Sequence, residues 1–475
     1  MPLGAGNASG GTCGRCTGLT EYRADPAILT LGERFFAPVE AADFPETRLR
    51  FRNDRAAETV GLATLTDAEW TDHFGRFRPL AGNLQQPLAL AYHGHQFRTY
   101  NPDIGDGRGF LFAQMRDDRD RLMDLGTKGS GRTPYSRTGD GRLTLKGGVR
   151  EILATEMLDA LGVDTSRTLS LIETGEPLMR GDEPSPTRSA VMVRLSHGHI
   201  RYGTFQRLAY EGDGAAIEQL IDYCLQQFVP DGGKDAADRY AALMDHAVSG
   251  AARLAASYRV AGFVHGVLNT DNINITGESF DYGPWRFAPR WDGEFTAAYF
   301  DQFGLYSFGR QAEALQWNVH QLALALRTVA GADSLIPALQ DYPERYDAAL
   351  IDGILDRLGL SSGPDDAALV RAWEAALAAS DIEPDRAFFD WRGGTRRNDH
   401  PAYREPAFAA FEAAVSTYRA RPGALDHPYW NDAAPCSMLI EEMESLWTPI
   451  AENDDWQPLY DKVEAIRRMG AAHQS

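Results

Sequence analysis

HGVLNTDNINITGESFDYG, residues 265–283, places a His-Gly pair, an Asp-Asn pair and an Asp-aromatic-Gly in one short run. An Asn amide oxygen and an Asp carboxylate are hard donors, suited to a magnesium ion shared with a polyphosphate. Phosphoryl-transfer loops of this rhythm put metal ligands where Asn272 and Asp281 stand, and a proton-accepting Asp two residues after the His. That position is Val267. The run keeps ligands for a metal and lacks the base where one is looked for. Asp271 is the carboxylate best placed to stand in, because proton abstraction needs reach as well as residue type. The alternative for Asp271 is a turn-forming role.

Working outward, GDGRGFLFAQMRDDRDRLMDLGTKGSG, from Gly105, reads as a Gly-rich turn, a strand (Phe110 to Met115), a charged turn at Asp117 to Asp120, and a second strand ending near Lys128. In the following segment Val149, Ile152, Leu153, Met157 and Leu161 recur at helical spacing, with Glu151 at the start of the helix. Protein kinases use a strand Lys to grip nucleotide phosphates and a helix Glu to orient it, which fits Lys128 and Glu151, with Glu156 the competing partner. Gly105, Gly107 and Gly109 flank Arg108, so backbone amides and a guanidinium can approach phosphate oxygens. Neither this loop nor GTKGSGRT has the Gly-Lys-Ser/Thr of a P-loop.

The pairs His93/His95 and His197/His199 raise a metal-binding alternative to buried or turn histidines. Arg194 and Arg201, around the second pair, are better candidates for holding phosphate. Cys13 and Cys16 form a CxxC in a Gly-rich leader without a second pair nearby, and the four cysteines are too few for a disulfide framework.

The chain of 475 residues is 43% hydrophobic and 24% charged, ordinary values for a globular protein. Its net charge of −20 argues against unspecific attachment to nucleic acid or anionic lipid. No apolar run approaches the length of a membrane span and the N-terminus lacks the pattern of a secretory signal, so a cytoplasmic location is expected. Leu169 to Ile172 and Ala190 to Leu195 read as further strands; Ile217 to Phe228, Ala236 to Val260, Arg310 to Ala330, Ala348 to Leu358 and Asp366 to Ala378 read as helices. The expected plan is α+β and bilobal. It has a flexible leader (1–20), a strand-rich N-terminal lobe (21–205) carrying the Gly-rich loop and Lys128, and a mainly helical C-terminal lobe (206–475) carrying the catalytic and metal-binding loop.

The blocks PLALAYHGHQF, IGDGRG, TKGSGRTPYSRTGDGR, REILATEML, HGVLNTDNINI and FDYGPWRF resemble those of the selenoprotein O family, called YdiU in bacteria. The resemblance runs from about residue 30 to 330. It implies a protein-kinase-like fold once classed as a pseudokinase, which binds ATP in a flipped orientation and transfers AMP to Ser, Thr or Tyr hydroxyls of proteins. With the nucleotide reversed, the α-phosphate faces the acceptor and the kinase base position no longer matters. Carried over by motif, the resemblance implies Asp271 as proton acceptor, Asn272 and Asp281 as ligands of Mg2+ or Mn2+, and Lys128 as a phosphate contact paired with Glu151. It also implies nucleotide contacts from Gly105, Gly107 and Arg108, from Asp140 and Gly141 of the GDGR turn, and from Arg194 and Arg201.

Two departures are expected. The chain ends RRMGAAHQS and its nearest cysteine is Cys436, so the C-terminal redox-active residue of some relatives is not expected. The region after about residue 385, including WRGGTRRNDHPAYREPAF and DHPYWNDAAP, departs from the family's blocks. Uridylyl transfer from UTP with manganese is equally allowed by the resemblance. An ordinary kinase would need a usable base near Val267, and an inert nucleotide-binding module would have lost a metal ligand.

Overall fold

The computed structural model describes residues 20–181, 183–233 and 238–474; the leader and its CxxC lie outside them, apart from Thr20. In chain order the strands are β1 (Phe36–Pro38), β2 (Arg48–Arg52), β3 (Leu88–Leu90), β4 (Gly94–Gln96), β5 (Thr99–Asn101), β6 (Leu111–Arg116), β7 (Leu122–Lys128), β8 (Leu143–Thr144), β9 (Arg167–Leu178), β10 (Thr187–Ser196), β11 (Phe263–Val264) and β12 (Arg286–Phe287). One antiparallel sheet runs in the order β1-β3-β6-β7-β10-β9-β2, with β8 also paired to β10. Strands β4 and β5 form a separate hairpin, and β11 pairs with β12.

The β6–β7 turn closes because the Asp117 carboxylate accepts from the backbone N–H groups of Arg119 and Arg121 at 3.0 and 2.7 Å. Side chains alternate across the sheet with a period of two. Phe112, Met123, Leu125, Ile172, Val191 and Val193 face one core with Trp70 and Phe74. Leu111, Leu122, Leu171 and Met192 face the other. All seven residues of β7 are therefore buried.

The helices are α1 (Asp54–Thr59), α2 (Asp67–Phe74), α3 (Leu145–Ala160), α4 (Tyr202–Tyr210), α5 (Gly214–Phe228), α6 (Arg239–Ala261), α7 (Gln311–Leu326), α8 (Ala332–Leu358), α9 (Asp366–Ala378), α10 (Pro384–Trp391), α11 (Pro406–Val415), α12 (Ile440–Asn453) and α13 (Gln457–Gln474). Helix α3 starts where the Thr144 hydroxyl accepts from Gly147 N at 3.0 Å, and it lays Val149, Ile152, Leu153 and Met157 on the sheet. Gly148 marks the closest approach: a Cβ there would stand 2.3 Å from Leu171 Cδ1. The core on this face continues through α4–α7, so the sheet and the helices share buried contacts. A further cluster holds α9, α10 and α11 against the last turns of α8.

The α+β expectation holds at this level: strands precede, and helices dominate from residue 202. Helix α8 begins at Ala332, well before the expected Ala348; Pro337 and Pro343 lie inside it, where proline ordinarily ends a helical reading, and they hid its first half. Helices α12 and α13 return to the first half of the chain and pack on α3. Arg467 there grips Glu156 through Nε and Nη2 at 2.9 and 2.8 Å. Among the described residues no helix is long and apolar enough to cross a membrane.

Candidate active site

A cavity of about 530 Å3 opens between the start of β6, the end of β7, β10 and the loop that follows β11. Its walls include every residue to which the resemblance gives a catalytic, nucleotide-binding or metal-binding role except Glu151, which stands behind Lys128.

Lys128, the last residue of β7, is 5% exposed and Glu151 1%. The Lys128 ammonium contacts the Glu151 carboxylate and stands 2.6 Å from Asp281 Oδ1. Glu156, the rival, is turned away toward Arg467 and Asn53. Burial alone would raise the Asp281 pKa, but the charges of Lys128, Arg194 and Arg108 hold it well below the usual carboxylate range. Asp281 also takes a positive φ of 66°, a conformation that aims its carboxylate at the Lys and is uncommon outside glycine.

Asp271 lies in a single helical turn, Thr270–Asn272, and is 8% exposed; its Oδ1 makes no hydrogen bond. Burial raises its pKa to about 6, reinforced by the Asp281 charge and opposed by a backbone hydrogen bond, Arg201 and Gln96. A buried carboxylate poised near neutrality suits proton transfer. Next to it, Asn272 Nδ2 donates to Val267 O at 3.0 Å, which fixes the amide and leaves the carbonyl oxygen as its other end. Among the described residues no cluster of three His, Cys, Asp or Glu could cage a metal. Asn272 with Asp281 is instead the sparse oxygen set expected where phosphate and water complete the shell of a magnesium-like ion, so these residues fit such an ion.

The hairpin β4–β5 props this loop from outside. His95 N donates to Thr270 Oγ1 at 2.7 Å and Phe97 N to Asn269 Oδ1 at 3.0 Å. Thr270 Oγ1 in turn donates to Gln206 Oε1 at 2.5 Å, and Gln206 Nε2 meets His95 Nδ1 at 2.8 Å. At Gly94 a Cβ would lie 3.0 Å from Asp271 Oδ1. His93 Nδ1 is taken by Tyr100 OH at 2.8 Å. His95 thus helps hold the loop, His93 is bonded to Tyr100, and His199 is bonded to Arg194 and Asp124.

Arg194 and Arg201 are 5% and 3% exposed. The Arg201 guanidinium lies over Tyr92 at 4.2 Å and pairs with Asp106 at 3.2 Å. Arg194 Nη1 and Arg201 Nε make no hydrogen bond with any described residue. Buried cations with unspent donors in a cavity wall favour an anionic ligand.

The Gly-rich loop is backed by the TPYSR segment: Ser136 Oγ donates to Gly107 O and Thr133 Oγ1 to Asp106 O, both at 2.5 Å. Gly105 faces the Tyr135 ring so closely that a Cβ would fall 2.5 Å from Cγ. Arg108 is exposed at the mouth. On the opposite rim the Asp140 carboxylate accepts from Arg180 at 2.8 and 3.1 Å and from Arg142 N at 3.0 Å. Gly141, at φ 71°, brings the turn within 2.2 Å of Gly131 O for any added Cβ.

The family model described as "Protein adenylyltransferase SelO" matches residues 19–414. The chain belongs to the SelO family. It is 43% identical over 473 residues to the "Protein nucleotidyltransferase YdiU" of Synechocystis sp., covering 93% of this chain and 97% of that one. The protein of the same name from Gloeobacter violaceus is 45% identical over 472 residues, covering 95% and 96%. That from Mycolicibacterium paratuberculosis is 34% identical over 477 residues, covering 93% of each. The SelO family is one of nucleotidyltransferases, and the chain shares that class.

Alignments this long correct one expectation. The likeness to SelO relatives does not stop near residue 330: the family model runs to residue 414, and an alignment covering 95% of the chain takes in most of the C-terminal helices. Sequence reasoning also passed over Asp106, Tyr92, Arg180 and Gln96, which line the cavity. Asp106 lay within the quoted IGDGRG, where a carboxylate between glycines was a signal. Arg180 had none, since its partner Asp140 is reached only through the fold.

Proposed function

We propose that this SelO-family chain is a metal-dependent protein adenylyltransferase of protein-kinase-like, two-lobed build, with 21–205 as the nucleotide-gripping lobe and 206–475 as the mainly helical one. It transfers AMP from ATP to a Ser, Thr or Tyr hydroxyl of a protein substrate. Asp271 carries the reading: a buried carboxylate with a pKa of about 6 and an unpartnered oxygen in the cavity wall, while the kinase base position holds Val267.

The hydroxyl proton passes to Asp271 as the hydroxyl oxygen bonds to the α-phosphorus, and the bond to the departing pyrophosphate breaks. Lys128, oriented by Glu151, together with Arg194, Arg201 and Arg108, holds the phosphates and offsets the charge that develops on them. Glycines 105 and 107 let the backbone come close to the nucleotide, and the Asp140–Gly141 turn borders it. Mg2+ or Mn2+ on Asn272 and Asp281 supplies neutralisation of the polyphosphate when bound.

The test is incubation of the purified protein with Mg2+ or Mn2+ and ATP labelled at the α- or the γ-phosphate, with labelled UTP in parallel. Label on protein from α-labelled ATP alone is the expected result. Label from the γ-position would overturn the reading in favour of a kinase, and label from UTP alone would change the nucleotide.

A further inference from the structure

One buried cation of the cavity wall, Arg194, is aimed from behind by a chain of buried hydrogen bonds. Arg194 sits in β10 opposite Gly126 of β7. Its Nε donates to His199 Nε2 at 3.1 Å. A guanidinium has no acceptor, so Nε2 must carry the lone pair and Nδ1 the hydrogen. That hydrogen goes to Asp124, whose Oδ2 lies 3.1 Å from Nδ1. Asp124 Oδ1 accepts from Gln114 Nε2 at 2.7 Å, and Gln114 Oε1 accepts from Ile28 N at 2.7 Å. Every donor in the series finds an acceptor, Gln114 Nε2 reaching the Tyr223 hydroxyl at 3.3 Å as well, and the Arg194 N–H at one end fixes the polarity of the imidazole.

The four side chains are between 1% and 5% exposed. Space for the imidazole is kept by Gly126, where a Cβ would stand 2.5 Å from His199 Nε2. Burial lowers the His199 pKa, consistent with the neutral ring this pattern requires. With Nε tied back, Arg194 Nη1 is left in the cavity wall without a hydrogen bond, 3.6 Å from Asp281 Oδ1. The guanidinium also lies over Phe280 at 5.1 Å, and the edge of the His199 ring meets the same phenyl at 6.0 Å.

We propose that His199 is a positioning residue: as the Nδ1-protonated tautomer braced on Asp124, it turns the Arg194 guanidinium toward a triphosphate in the cavity. This rests on the nucleotide reading above. A merely structural histidine would need both ring nitrogens satisfied and nothing more, whereas a positioning role depends on the acceptor at the Nε2 place.

Two substitutions separate these roles. His199→Gln puts a carbonyl oxygen near the Nε2 place and abandons Asp124; His199→Asn puts an amide N–H near the Nδ1 place and abandons Arg194. ATP dissociation constants, measured without acceptor protein, and melting temperatures are read for the parent and both variants. The expected result is that Gln binds ATP within about twofold of the parent while Asn binds about tenfold more weakly, even though Asn, which keeps the buried Asp124 paired, melts no lower than Gln. Equal affinities, or affinities that follow the melting temperatures, would overturn the positioning role alone. Failure of the parent to bind ATP would overturn the nucleotide reading and this proposal with it. Should neither variant fold, 15N spectra of histidine-labelled parent protein decide, since an Nε2-protonated His199 would overturn the proposal and an Nδ1-protonated one would support it.

Discussion

Asp271 carries opposed demands on one carboxylate. Held near a pKa of about 6 by burial, it is ionised at neutral pH at a cost to the fold. The folded pKa lies above the unfolded one, so the folded state binds the extra proton between about pH 4 and 6, and stability falls as pH rises through that window. Asp271→Asn is therefore expected to raise stability at pH 8 by about 2 kcal/mol, read from denaturant midpoints, while slowing transfer about 100-fold or more. The parent's kcat/KM should fall as pH is lowered through about 6. A variant as active as the parent and no more stable would remove Asp271 from its role. Lys128→Met leaves Glu151 buried without its cation and is expected to cost about 3 kcal/mol; adding Glu151→Gln should recover most of that stability and none of the transfer. At this scale the sequence was legible where chemistry is local. Asn272, Asp281, Lys128 and the glycines sit in short motifs, whereas the bonds from Arg201 to Asp106 and from Arg180 to Asp140 join residues far apart in the chain, and no spacing announces them.

Two elements set the site's dimensions, and each can be tested at a glycine. Helix α3 meets the sheet at Gly148, and Gly148→Ala pushes against Leu171 in a core with no room to spare. We expect a loss of about 1–3 kcal/mol, partly relieved by Leu171→Ala in the double variant, a coupling that thermal melts would detect. The β4–β5 hairpin meets the Asp271 loop at Gly94, where an added methyl crowds Oδ1. Gly94→Ala is expected to lower kcat more than it alters ATP affinity, because it disturbs the proton acceptor and leaves the phosphate contacts alone. Unchanged kinetics would mean that the loop yields freely. Helices with a clean apolar period, such as α5, α6, α7 and α9, were readable from the sequence. The first half of α8 was hidden by Pro337 and Pro343, and α10 to α13 by short length or mixed polarity. The hairpin was invisible as an element, because its strands are three residues each and its value lies in tertiary hydrogen bonds.

Across the molecule, the last helix closes on the first half of the chain. Arg467 of α13 braces Glu156 of α3, while Asp454 accepts from Arg50 and Arg188 beside Glu173. The same α3 carries Glu151. Arg467→Leu is expected to destabilise the protein by about 2–4 kcal/mol and to weaken ATP binding through α3, although the residue lies outside the nucleotide cavity; a melt and a binding isotherm would check both. No local pattern in the sequence foretells that α13 returns to α3, since a pairing between residues 311 positions apart leaves no periodic trace. That separation acts on the timing of birth. Synthesis from the N-terminus at about 5–20 residues per second delivers Glu156 on the order of 15–60 s before Arg467. Through that interval one flank of α3 is without its closing helix. The nascent polypeptide thus completes the scaffold of its nucleotide site only after the 311 residues from Glu156 to Arg467 have been added.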